Sequence, residues 1–220
     1  MRLVFGTGRV QRLADGTFGL AFKRLHQPLT LLPNGATPVP DISAYDGQLL
    51  LFQGLLETCP AGNDSNRNLA EPRAHFTLLR VPGSADTAVA KEESELTAIV
   101  AGNTNKDPEM NPRGDRVSVA IPYHSGPRDS DSPTAWVNVC AEFAKSEGPD
   151  ALAQMLLQQK KGTRLLCAGV LTSYEYNNES RVHVQLKGFD LLGNGAVKGK
   201  TLGSAYAPES ETALSDEEAF

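Results

Sequence analysis

This chain has little cysteine, a single tryptophan and no excess of positive charge. Its three cysteines, Cys59, Cys140 and Cys167, lie far apart, with no C-x-x-C and no histidine at metal-ligand spacing. That excludes a disulfide framework and a zinc ribbon, and reads Cys140 and Cys167 as small core residues on strands. Free thiols suit a reducing compartment, so a cytoplasmic location is expected. There is no signal-peptide pattern and no long apolar run, which points away from a membrane. Catalytic constellations are also missing. Gly6-x-Gly8 has no third spaced glycine and no helix after it. No P-loop or Gly-x-Ser-x-Gly occurs, and His26, His75, His124 and His183 are scattered. Neither an enzyme nor a bound cofactor or metal is expected. The formal net charge of −5 argues against nucleic acid at first sight, because phosphate binding rests on Lys and Arg. Glu209, Glu211, Asp216, Glu217 and Glu218 carry five of the negative charges near the C-terminus, so the remainder is about neutral and local patches must supply any attraction.

What is present is mostly strand. The 220 residues suffice for one large domain or two small ones of roughly 100 residues each. Short apolar or alternating runs cover 2–5, 18–24, 48–56 and 74–81, separated by Asp15-Gly16, Pro33-Asn34-Gly35 and Asp46-Gly47. A polar, acidic stretch at 82–95 reads as a linker. Further strands cover 96–103, 116–121, 134–139, 164–171 and 181–189. One helix is expected over 149–161. Pro149 suits its first position, Leu152, Met155 and Leu156 form its apolar face, and Gly162 can end it in the left-handed conformation. Three strands before that helix and two after it give the order of an OB-fold barrel.

The halves echo each other. Gly6-Thr7-Gly8-Arg9-Val10 parallels Val100-Ala101-Gly102-Asn103, and the segment from Asp46-Gly47 to Leu56 parallels that from Lys161-Gly162 to Leu171. In the second pair a glycine precedes a buried strand and another follows seven residues later. The expected fold is therefore all-β with one short helix and two OB-type barrels. The first, 1–82, is degenerate: 28–45 holds four prolines and no helical period. The second spans 96–192. A glycine-rich flexible tail with an acidic tip, 193–220, follows.

The second barrel resembles the bacterial single-stranded-DNA-binding protein (SSB) family. The resemblance rests on Val100-x-Gly102-Asn103 with Asp107-Pro108-Glu109, on Ala135-Trp136-Val137-x-Val139 with Phe143-Ala144-Lys145, and on Lys161-Gly162-x-Arg164 with Gly169-Val170-Leu171. It covers somewhat under half of the chain. The family usually has a glycine before the lysine of Phe143-Ala144-Lys145. The resemblance implies Trp136 and Phe143 as base-stacking residues, with Tyr174 or Tyr176 as another and Tyr123 or His124 as a further one. It also implies a dimer of two-barrel chains, four OB folds in all. The tip Asp216-Glu217-Glu218-Ala219-Phe220 is similar to family tails that dock on replication and repair proteins, with Ala where Pro is common.

Binding a single strand without reading its sequence needs aromatic faces for bases and cations for phosphates. Candidate cations are Lys106, Arg113, Arg116, Lys145, Arg164, Arg181 and Lys187. In the first half, Arg9 and Arg12, with Arg2, Lys23 and Arg24, interleave with Phe5, Phe18 and Phe22 as a second site. The reading is thus a protein that binds single-stranded DNA and recruits partners through Asp216, Glu217, Glu218 and Phe220. Its alternatives are an RNA-binding OB protein and an adaptor whose barrels serve protein contacts.

Overall fold

The computed structural model describes residues 1–57, 59–60, 71–83, 92–124, 134–143, 152–176 and 179–192, with 59–60, 124, 134–135, 175–176 and 179–180 described by backbone alone. The first half contains β1 (Arg2–Arg12), β2 (Phe18–Ala21), β3 (Thr30–Leu32), β4 (Leu49–Leu56), β5 (Cys59–Pro60) and β6 (Arg73–Arg80). The second contains β7 (Thr97–Asn103), β8 (Glu109–Met110), β9 (Arg116–His124), β10 (Thr134–Glu142), α1 (Leu152–Leu157), β11 (Arg164–Tyr176) and β12 (Glu179–Leu191). All the strands belong to one sheet, whose path runs β3-β6-β4-β1-β7-β11-β12-β10-β9-β8, with β2 on β1 and β5 on β10.

Both halves follow the same strand plan. In the second, β9-β10-β12-β11-β7 is the order second, third, fifth, fourth, first, and the β10–β12 pairing is parallel. In the first, β3-β6-β4-β1-β2 is third, fifth, fourth, first, second, and β3–β6 is likewise parallel. This is the OB-fold arrangement, and the fold is all-β with one short helix. Between β3 and β4 the first half has only a 3-10 turn at Ser43–Tyr45 where the second has α1.

The glycine echo has a structural cause. Gly47 and Gly162 adopt φ of 76° and 86°, the left-handed region that favours glycine, just before β4 and β11. Seven residues on, Gly54 and Gly169 sit at register shifts in the β4–β6 and β11–β12 pairings. A Cβ on Gly54 would lie 2.6 Å from the His75 carbonyl oxygen, and one on Gly169 would collide with that of Gln185. Each bulge brings two backbones too close for a side chain, which bends the strand around its barrel.

The halves join through β1 and β7, which pair antiparallel from Arg2↔Val100 to Phe5↔Thr97. A contiguous apolar cluster includes Val4, Leu50 and Phe52 from one half and Val100, Val119, Leu171 and Val184 from the other.

Three expectations need correction. The expected strand over 18–24 ends at Ala21, and Arg24 takes a φ of 67°. The expected helix over 149–161 is seen at Leu152–Leu157, with 149–151 outside the described residues. It buries Ala153 and Leu156, while Met155 is exposed. It does not reach Lys161 because Thr104 Oγ1 donates to the Lys160 carbonyl, Lys161 N donates to Asp107 Oδ1 and Gly162 N donates to the Thr104 carbonyl. These bonds outcompete another helical turn. Finally, the acidic end of the linker is a strap. Ser94 N donates to Thr7 O and Lys23 N to Ser94 O, while Glu92, Glu93 and Glu95 pair with Lys23, Arg9 and Arg24.

Candidate nucleic-acid interface

The alternation along β10 sorts its side chains. Val137, Val139 and Ala141 point into the barrel and are 4%, 0% and 0% exposed. Trp136, Asn138, Cys140 and Glu142 take the other face by period-two alternation. Antiparallel pairing sets Trp136 opposite Pro122 and Glu142 opposite Arg116 on β9. Parallel pairing sets Cys140 beside Gln185 on β12, which aligns His183 and Arg181 with the same face. The β11–β12 hairpin then places Tyr174 across from Arg181.

One layered group results. The Tyr174 and His183 rings meet edge to face, centroids 5.1 Å apart at 72°. The Arg116 guanidinium lies over the Tyr174 ring at 5.4 Å, and its Nη2 is 3.3 Å from a Glu142 oxygen. His183 is buried, and burial, then the Arg116 charge, pushes its pKa down to about 4. It is therefore a neutral ring at pH 7. Burial likewise raises the thiols of Cys140 and Cys167 to about 12, so neither is a thiolate.

Trp136 is half-buried. Its backbone pairs with Cys59 of β5, so the first half touches the strand that carries it. Beside it, Leu56, Glu57, Asn138, Leu171, Val182 and His183 line a cavity of about 10 Å³, space for at most one water. That cavity is too small to admit a base. Trp136 and Tyr174 supply π faces, and Arg116 and Arg181 supply cations, on one face of the barrel.

The other expected site residues fall into distinct places. Phe143 is half-buried and packs against the core. Tyr123 also packs there; its hydroxyl lies 2.7 Å from the Met1 carbonyl and 3.0 Å from that of Ala101, and burial raises its pKa. The Arg2 guanidinium is 5.9 Å from the Tyr123 ring centroid. Lys106 pairs with Glu109 at 2.7 Å. Arg113 is exposed beside the Gly114 turn, Arg164 is exposed at the start of β11, and Lys187 is the exposed extra residue of the β12 bulge. Arg9 contacts Glu93 at 2.5 Å and the Gly47 carbonyl at 2.7 Å. Arg12 lines an open groove with Gln11, Gln27, Glu71 and Arg73. Tyr176 pairs through its backbone with Glu179, its side chain being outside the described residues. Lys145 and the tail residues Asp216, Glu217, Glu218 and Phe220 also lie outside them.

His183, Asn138 and Glu142 join the site without being among the expected residues. The signal for His183 was the antiparallel register of β11 and β12, which sets Arg181 across from Tyr174 and His183 diagonally against its ring. For Glu142 it was the register of β9 and β10, which pairs it with Arg116. Among the described residues no cluster could hold a metal ion and no helix is long and apolar enough to cross a membrane.

No family model and no curated protein matches this sequence. Solved structures do. A deletion variant of the single-stranded DNA binding protein from Thermus aquaticus superposes with a TM-score of 0.55 at 16% identity, covering 91% of this chain and 98% of that one. The wild-type form of the same protein gives a TM-score of 0.49 at 17% identity, covering 91% and 97%. At this identity the likeness is one of fold, and it extends over both halves of the chain.

Proposed function

We propose that this protein binds single-stranded DNA across the outer face of β9, β10, β11 and β12, with little sequence preference and without catalysis. The observation that carries this reading is the gathering of Trp136, Tyr174, Arg116 and Arg181 on one face of an OB barrel. Such a surface offers stacking to any base and a positive field that attracts the backbone from a distance. The solved structures that share the fold carry the name of a single-stranded DNA binding protein, which supports the same ligand. Residues 1–82 and 96–192 act as the two barrels, and 193–220 as a tail that recruits replication and repair proteins through its acidic tip.

Two chains pair in this reading, giving four barrels. An apolar surface on the outside of the joined sheet supports it. Register places Leu3, Phe5, Leu51, Leu55, Ile99 and Leu166 on neighbouring strands β4, β1, β7 and β11, on the side away from the barrel cores. Phe5 is exposed and the others are partly so. A patch that crosses from one half to the other suits a second copy of the same sheet. Light scattering at micromolar concentration should give twice the chain mass, and Phe5→Glu should return it to the single-chain mass. A parent protein with the single-chain mass would remove the pairing.

Binding itself is tested with labelled oligo-dT by fluorescence anisotropy. The expected result is tight binding to the single strand, weak binding to a duplex of equal length, and log affinity that falls linearly with log salt. Equal affinity for both forms would overturn the reading.

A further inference from the structure

Resting on the single-strand reading above, we propose that Arg116 serves binding as a positioning residue that holds Tyr174 for stacking, and not as a phosphate contact.

The guanidinium is committed inside the protein. Its face lies over Tyr174, and its Nη2 reaches Glu142, its direct cross-strand neighbour. Its Nε is buried, with no hydrogen-bond partner among the described residues. Only 30% of the side chain is exposed. Glu142 takes one N–H of Nη2 and Nε is buried, so fewer of its donors are left for a phosphate than on an exposed arginine. By contrast Arg164 and Lys187 are exposed and suited to phosphates.

Tyr174 is the group that gains from the arrangement. It stands two residues before the end of β11 and is only half-buried. Left alone, its ring would sample several rotamers and lose entropy on stacking. His183 contacts it edge to face and Arg116 lies over it. The edge-to-face ring contact and the cation over the ring are both attractive to the π system. The planar fork matters as well as the charge: Lys cannot lie flat on the ring while bonding Glu142.

The test is a double-mutant cycle on oligo-dT affinity in the full chain, with circular dichroism to confirm folding of each variant. Arg116→Gln and Arg116→Lys should each weaken binding roughly fivefold, the effect of losing one cation–π contact. The slope of log affinity against log salt should stay that of the parent. In a Tyr174→Ala background the same two substitutions should cost nothing further, an outcome that a general structural role would not produce. The proposal is overturned if Lys restores affinity, if the loss persists without Tyr174, or if the slope becomes shallower by about 0.7, the value of one phosphate contact. It is equally overturned if the Arg116 variants bind like the parent. A parent chain that fails to bind oligo-dT at all would remove the single-strand reading, and this inference with it.

Discussion

His183 should make the folded state sensitive to acid. In the folded chain its pKa sits at about 4 against an ordinary 6.5, because burial disfavours the imidazolium and Arg116 repels it. Tyr174 meets its ring, and Trp136, Asn138 and the Glu57 carboxylate line the cavity beside it. Between the two pKa values the unfolded chain holds more protons than the folded one. Stability therefore rises with pH through this window. The contribution is fully present above about pH 6.5, declines as pH falls, and is gone below about 4. At 1.36 kcal/mol per pH unit, the span from 6.5 to about 4 amounts to roughly 3 kcal/mol, of which roughly 2 is lost by pH 5. Carboxylates such as Glu93 and Asp107, held low by Arg9 and by the Lys161 amide, contribute their own acid dependence at lower pH. Subtraction of a variant isolates the histidine. His183→Phe keeps a ring against Tyr174 and has no proton to bind. Urea unfolding of parent and variant at pH 7.5, 6 and 5 should show the parent losing roughly 2 kcal/mol more than the variant over that range. Parallel pH dependence in the two proteins would refute the buried, neutral histidine and with it the packing assigned to Tyr174.

Three further outcomes are expected. Trp136→Ala should weaken oligo-dT binding by roughly 1–3 kcal/mol, about 5- to 150-fold by anisotropy, with little change between base compositions; unchanged affinity in a folded variant would make Trp136 a packing residue only. Gly169→Ala should destabilise by roughly 1–3 kcal/mol in urea unfolding, because its Cβ meets the Gln185 carbonyl, whereas Gly188→Ala, with open space around it, should stay near the parent. Deletion of 215–220 should leave oligo-dT affinity unchanged or slightly tighter at low salt, since it removes Asp216, Glu217 and Glu218, while deletion of Phe220 alone should abolish capture of a replication or repair enzyme.

Much of this fold was legible because glycines and alternation are local signals. The paired Gly47 and Gly54, Gly162 and Gly169 marked two equivalent strands, and the structure gives each pair the same left-handed turn and bulge. Along β10 the alternation of Trp136 with Val137 and Val139 is a local signal of the same kind, which sets Trp136 on the outer face. What was hidden depends on partners distant in sequence. Phe143 and Tyr123 carry the residue types of a stacking site, yet the core and the Met1 carbonyl claim them. The same holds for Arg9, whose charge meets Glu93. Composition counts such cations, and only the fold tells which carboxylate each one meets. The helix was overextended for a related reason: Lys160 to Gly162 have helical neighbours in sequence, but Thr104 and Asp107, more than fifty residues earlier, hold them in a turn.

The central claim is that bases stack on the face that carries Trp136. With only one tryptophan in the chain, its emission reports on that face alone. Titrating oligo-dT into the protein should quench that emission to saturation at the same concentration at which anisotropy shows the DNA bound, and added salt should reverse both signals together. Bound DNA with unchanged tryptophan emission would contradict the account.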